Sequence, residues 1–202
     1  MLEYENRLWT DGWTMVAGVD EVGRGCLFGD VVAAAVIMPV GFHLADIDDS
    51  KKLSEKKREA CYEIIMKEAV AVGIGRVDSA MIDQINIKQA ARLAMRTAVE
   101  QLSTTPEHLL IDAEKVDLPI PQTAIIKGDQ LSQSVAAASI VAKVTRDRLC
   151  VEWDRMYPEY GMAIHKGYAT ALHRDRLRIF GPSPLHRRSF LRKLLSEQIV
   201  MF

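Results

Sequence analysis

The stretch Val16-Ala-Gly-Val-Asp-Glu-Val-Gly-Arg-Gly-Cys-Leu-Phe-Gly-Asp-Val-Val-Ala-Ala-Ala-Val-Ile-Met38 constrains the fold most, because it sets two adjacent carboxylates and three glycines between two apolar runs. The flanking runs are short and rich in β-branched residues, and Pro39 closes the second, so the pattern predicts strand, functional loop, strand. Successive strand side chains face opposite ways, which leads to the expectation that Asp20-Glu21 sits where the pleat breaks. Gly23 and Gly25, on either side of Arg24, permit such a break and a close approach of backbone to a ligand. A dinucleotide-binding turn is the competing reading of these glycines. It requires a helix next, whereas Val31 onward reads as strand, and Asp20-Glu21 would repel a phosphate unless a divalent cation lay between them. The plainer alternative is a hairpin with solvated acids at its turn.

With 202 residues, 49% of them hydrophobic, the chain suits one sizeable core in a single domain. No apolar run has membrane-spanning length and Met1-Leu-Glu-Tyr-Glu-Asn-Arg lacks a secretory pattern, so a cytoplasmic, soluble protein is expected. Cys26, Cys61 and Cys150 are scattered without metal-binding spacing and read as free thiols. The net charge is −1, yet Lys143 to Lys193 holds 12 Lys and Arg against 5 Asp and Glu. A basic C-terminal quarter beside an acidic remainder suits a polyanion held near a cation-binding centre; a solvated helical surface is the equally common alternative.

Along the chain, Ser54 is expected to cap a helix over Glu55 to Glu68, with Lys51 and Lys52 exposed before it or touching phosphate. Ala69 to Val77 reads as a strand whose Gly73 and Gly75 imply close packing, followed by a short helix capped by Asp78 or Ser79. Ile87 to Leu102 has apolar residues at helical spacing. His108-Leu-Leu-Ile-Asp112 and Thr123-Ala-Ile-Ile-Lys-Gly-Asp129 are apolar runs ending at or just before an acid. Ligands gather outside the carboxyl ends of strands in open α/β sheets, so Asp20, Glu21, Asp112 and Asp129 are expected to converge. Ser132 to about Arg155 reads as a long helix. Its stripe of Ser132, Ala136, Ser139, Lys143 and Arg146 fits a phosphate backbone or tight packing on the sheet equally well. Gly161 to Thr170 reads as a loop, then comes a basic helix to Phe180, the break Gly181-Pro-Ser-Pro184 and a terminal helix from near Arg187.

Four convergent carboxylates need cations to remain ionised together, and oxygen ligands favour hard ions such as Mg²⁺ or Mn²⁺. Two such ions would serve an in-line phosphodiester displacement. The five histidines form no zinc-hydrolase or triad-like motif.

These residues resemble bacterial ribonuclease HII. The likeness runs from Val16 to about Phe190 and rests on Gly18-Val-Asp-Glu-Val-Gly-Arg-Gly25, Asp49-Ser-Lys-Lys-Leu-Ser54, Lys127-Gly-Asp129, Ser134-Val-Ala-Ala-Ala-Ser-Ile-Val-Ala-Lys-Val-Thr-Arg-Asp147, His165-Lys-Gly-Tyr168 and His186-Arg-Arg-Ser-Phe190. It implies an α/β, ribonuclease H-like mixed β-sheet flanked by helices, forming one catalytic domain with a basic helical extension from about residue 170. It also implies a monomeric endonuclease that cuts the RNA strand of RNA–DNA hybrids and single ribonucleotides in duplex DNA, as in ribonucleotide excision repair, leaving 3′-hydroxyl and 5′-phosphate ends. By position, Asp20, Glu21, Asp112 and Asp129 match the family's metal-binding, catalytic acids. Gly23, Arg24 and Gly25 match its 2′-hydroxyl sensor, Tyr168 its sugar-stacking aromatic, and Lys51, Ser139 and Lys143 fall in motifs near the phosphate path. The chain departs from the family pattern at Cys26, Asp30, Ala113-Glu114 and Ala169, two of which add negative charge beside the expected metal site. Two rivals are a non-catalytic hybrid-binding module, which would not need all four acids, and a metal-dependent nuclease of DNA junctions, which would not need a 2′-hydroxyl sensor.

Overall fold

The computed structural model describes residues 1–44, 47 and 53–192. In chain order the elements are helix α1 (Glu3–Thr10), strands β1 (Val16–Val22) and β2 (Val31–Ile37), helix α2 (Glu55–Glu68), strand β3 (Ala71–Val77), and helices α3 (Ser79–Ile85) and α4 (Ile87–Glu100). Strands β4 (His108–Asp112) and β5 (Gln122–Ile125) follow, then helices α5 (Gly128–Leu131), α6 (Gln133–Met156), α7 (Met162–His165) and α8 (Ala171–Phe180). The five strands form one mixed sheet in the order β3-β2-β1-β4-β5, antiparallel on the β3-β2-β1 side and parallel from β1 to β5.

The Val-Val-Ala-Ala-Ala-Val-Ile run is β2, and it lacks polar alternation because helices cover both of its faces. Ala33, Ala35 and Ile37 pack with Ala91, Ala94, Met95 and Ala98 of α4. On the other face Ala34 and Val36 meet Ala137, Ala138, Val141 and Ala142 of α6, with Cys61 and Ile65 of α2. Small side chains let both helices come very close. A Cβ at Gly73 or Gly75 would collide with α4 carbonyls, as their spacing suggested, and one at Gly18 would collide with the first turn of α6. The stripe of α6 that was open between phosphate contact and sheet packing is therefore mostly buried packing surface.

Ser54 caps α2 by accepting from the Lys57 amide, Asp78 caps α3 in the same way, and the three cysteines are free and buried. Three expectations need correction. The strand β1 runs on through Asp20-Glu21 to Val22, so the pleat breaks after the acids and not at them. Asp129 lies in the short helix α5, because β5 stops at Ile125 and Lys127 turns the backbone left-handed at φ 58°. The stretch read as a loop from Gly161 contains α7. The final helix begins at residue 188 among the described residues. Glu5 of α1, which carries no signal in the sequence, is fully buried and fastens the start of α6: its Oε1 accepts from Ser132 Oγ (2.6 Å) and from the Ser134 amide (2.9 Å).

Candidate active site

Strand β4 pairs with β1 only from Val16–His108 to Val19–Ile111, so Asp112 ends its strand just where Asp20 begins the acidic pair. Asp20 is paired with Ala34 and faces α6; Glu21 is paired with Ala33 and faces the α4 side. Opposite faces do not separate the two charges, because both lie at the sheet end where the neighbouring strand stops and Asp112 acts electrostatically on each. The pleat needs no break for the acids to share a field.

Asp20 is only 6% exposed. Burial, then Glu21, then Asp112 push its carboxyl well above the usual range, against hydrogen bonds from the Ser139 side chain and the Glu21 amide. Glu21 is also raised, chiefly by burial, although Arg24 Nη1 donates to its Oε1 at 3.1 Å. Its other oxygen, Oε2, is buried without a hydrogen-bond partner. Asp112 Oδ1 accepts from the Gly128 amide at 2.7 Å, and the next residue, Asp129, is buried on α5. Among the described residues no three His, Cys, Asp or Glu side chains form a ready-made cation cage, and Arg24 and the Gly128 amide each bond one of these carboxylates. The orphaned Glu21 Oε2 and the like-charge crowding at Asp20 nevertheless fit a hard divalent cation.

The two acids that depart from the family pattern do not add to this charge unopposed. Arg76 Nη2 donates to Asp30 Oδ2 at 2.8 Å, and Arg92 Nη2 meets Glu114 Oε2 at 2.9 Å. Ala113, between Asp112 and Glu114, is held left-handed at φ 49°. Ala113→Gly is expected to stabilise the protein by about 0.5–1 kcal/mol, the left-handed strain of a Cβ less the extra freedom glycine gains when unfolded, read from urea midpoints.

The loop after β1 leaves the strand at Gly23 (φ 93°), where a Cβ would run into the Arg146 side chain. Arg146 is not a surface cation. It is fully buried on α6, and its Nε donates to the Asp30 carbonyl (3.1 Å), Nη2 to Phe28 (3.1 Å) and Nη1 to Lys166 (2.8 Å). Arg187, also fully buried, donates to the carbonyls of Gly29 (2.9 Å) and Arg24 (3.1 Å). The Leu27 amide adds a bond to the Gly167 carbonyl at 2.8 Å. These ties join the loop of Gly23, Arg24 and Gly25 to the turn that carries Tyr168, whose side chain is exposed. Ser139 is buried beside Asp20, which makes it a partner of that acid and not a free phosphate contact. Lys143 is ion-paired with Asp147, and Lys51 lies outside the described residues. With Arg146 and Arg187 buried, the basic face is smaller than the charge count suggested.

Beneath Tyr168, three histidines are buried together. Burial lowers His173 to about 4 and His186 to about 3, so both stay neutral in the folded protein while the unfolded chain takes up protons below its ordinary value of 6.5. Stability is therefore expected to fall as pH drops from about 6.5 toward 4, and His173→Gln/His186→Gln should flatten that fall in urea midpoints. Asp20, with its raised carboxyl, acts in the opposite sense, so the variant comparison isolates the histidines.

A mixed five-stranded sheet in the order β3-β2-β1-β4-β5 with helices on both faces belongs to the ribonuclease H-like fold class. The ribonuclease HII family profile matches residues 17–193. Ribonuclease HII of Alkaliphilus metalliredigens (strain QYMF) is 58% identical over 200 residues, covering 96% of this chain and 98% of the relative. That of Alkaliphilus oremlandii (strain OhILAs) is 53% identical over the same shares. Among solved structures, ribonuclease H2 from Pyrococcus horikoshii OT3 superposes with a TM-score of 0.76 at 25% identity, over 90% of this chain and 97% of that one. The chain belongs to the ribonuclease HII family, metal-dependent endonucleases that cleave RNA in RNA–DNA hybrids.

Proposed function

We propose that the chain hydrolyses the RNA strand of RNA–DNA hybrids, and cuts 5′ of single ribonucleotides in duplex DNA, at a centre formed by Asp20, Glu21, Asp112 and Asp129 with Mg²⁺ or Mn²⁺. The observation that carries this reading is the buried, unpartnered Glu21 Oε2 in the shared field of Asp20 and Asp112. When bound, divalent cations, two in number, supply activation of water and relief of charge on the scissile phosphate. Asp20, Glu21, Asp112 and Asp129 hold them, Ser139 orients Asp20, and the Gly128 amide orients Asp112. Gly23, Arg24 and Gly25 read the 2′-hydroxyl of the ribose and Tyr168 packs on the sugar beyond it. Lys143, steadied by Asp147, borders the phosphate path, and Lys51 is assigned to that path by its family motif alone.

The test is cleavage of a long RNA–DNA hybrid with Mg²⁺, with Mn²⁺ and with a chelator, followed by mapping of the new ends. Metal-dependent products with 3′-hydroxyl and 5′-phosphate ends are expected. Chelator-resistant cleavage, or 2′,3′-cyclic phosphate ends, would show that the substrate's own hydroxyl and not water attacks, and the proposed centre would fall.

A further inference from the structure

The buried histidines have fixed proton positions. The Ser183 amide donates to His186 Nδ1 at 2.9 Å, so that nitrogen carries no hydrogen and the ring's proton lies on Nε2. His186 Nε2 and His173 Nε2 are 3.1 Å apart, and only one of them can hold a proton, so His186 donates and His173 accepts. The proton of His173 is then on Nδ1, which donates to the Tyr168 carbonyl at 3.0 Å. A parallel chain runs beside it: the Gly167 amide donates to His165 Nδ1 (3.2 Å), and His165 Nε2 donates to the Tyr160 carbonyl (2.8 Å). The His165 and His173 rings stack with centroids 4.4 Å apart, and Phe28 and Tyr160 wall in His186 at 4.7 and 4.8 Å. None of the three rings reaches the acidic centre's carboxylates through any of these bonds. The His186–His173 chain runs from the break between α8 and the final helix to the Tyr168 carbonyl, while His165 links the Gly167 amide beside Tyr168 to the Tyr160 carbonyl.

We propose that His173 and His186 are positioning residues for Tyr168: a one-way hydrogen-bond relay from the Ser183 amide through both imidazoles fixes the carbonyl of Tyr168 and so aims its ring at the nucleic acid. The proposal rests on the reading of Tyr168 as the residue that packs on the sugar beside the ribonucleotide. Because Leu27 and Arg146 tie the same turn to the loop of Gly23, Arg24 and Gly25, the relay holds the two sugar readers at a fixed spacing. A single ribonucleotide offers one register in which both sugars must fit, whereas a long hybrid offers many, so loss of the relay falls chiefly on the single ribonucleotide.

The test compares two polar variants. Gln places its amide near Nε2 and Asn places its amide near Nδ1. His173→Gln, which keeps the contact to His186 but loses the donor to Tyr168, should lower the ratio of single-ribonucleotide to long-hybrid cleavage by about tenfold, the effect of one lost buried hydrogen bond. His173→Asn keeps the donor that fixes the Tyr168 carbonyl and loses only the steadying contact from His186, so its ratio should fall by no more than about threefold. Combined with Tyr168→Ala, His173→Gln should change the ratio no further. A general structural weakening would lower both substrates together and overturn the proposal, as would a further tenfold drop in the double variant. If Tyr168→Ala alone leaves the ratio unchanged, the reading of Tyr168 fails and the relay's role falls with it. If Tyr168→Ala lowers the ratio and His173→Gln does not, only the relay is overturned. Should His173→Gln fail to fold, amide exchange at residues 167–169 in His173→Asn decides: wild-type protection supports the relay, and lost protection overturns it.

Discussion

Asp20→Asn, Glu21→Gln and Asp112→Asn are each expected to cut hybrid cleavage by about 10²–10³-fold or more, while the metal-free proteins melt at the wild-type temperature or above it. The argument begins with crowding. Three carboxylates share the end of β1 and β4, Asp20 is buried, and its ionised form is disfavoured by burial and by both neighbours. Each amide keeps the shape of the side chain and can still accept the local hydrogen bonds, so the Gly128 bond to Asp112 and the Arg24 bond to Glu21 survive. What disappears is one negative charge. The folded protein is relieved of repulsion, and the site loses the charge that would hold a divalent cation. Activity assays at saturating Mg²⁺ or Mn²⁺, paired with melting curves in chelator, separate the two effects. Near-normal rates in any one variant would remove that residue from the centre.

Much of this site was legible because backbone rules tie acids to strand ends. His108 to Asp112 reads as a strand ending in a carboxylate, and the structure has that strand with those bounds. Gly73 and Gly75 signal a close helix, and α4 lies against them. Asp20 and Glu21 do alternate, one toward each face, yet Asp112 acts on both because β4 ends beside them, and alternation in the sequence does not show where a neighbouring strand stops. Arg146 was invisible as a buried residue. On a helical stripe with Ser139 and Lys143 it looks like a phosphate contact, and nothing local reveals that three distant carbonyls satisfy its guanidinium. The histidines pose the same difficulty, since residues 165, 173 and 186 share no helical or strand period and meet only through the packing of α7, α8 and the Gly181-Pro-Ser-Pro184 break.

Cleavage at an isolated ribonucleotide is expected to exceed cleavage of the same duplex in all-DNA form by at least about a hundredfold. Only ribose offers a 2′-hydroxyl, which both donates and accepts hydrogen bonds. The loop at Gly23, proposed above to read that hydroxyl, is fixed by two buried arginines that hold the carbonyls of Arg24, Phe28, Gly29 and Asp30. Leaving such a contact unmade costs about 1–3 kcal/mol, or roughly ten- to hundredfold in rate. Discrimination beyond that comes from the scissile phosphate being misplaced relative to the acids when the sugar is not held. Tyr168, 42% exposed on the turn stitched to this loop, is the residue proposed above to pack on the adjoining sugar, where a deoxyribose leaves room. Tyr168→Ala should therefore lose at least about tenfold at a single ribonucleotide and proportionately less on a long hybrid. Equal losses on both substrates would refute the junction role of Tyr168.

The central claim, that one ribose is recognised here and the bond on its 5′ side is hydrolysed, is tested most directly by end-mapping on a DNA duplex carrying one ribonucleotide, beside its all-DNA counterpart, with Mg²⁺ or Mn²⁺. A single cut on the 5′ side of the ribonucleotide, leaving 3′-hydroxyl and 5′-phosphate ends with the all-DNA duplex intact, is the predicted result. Efficient cutting of the all-DNA duplex, or a cut on the 3′ side of the ribonucleotide, would contradict it.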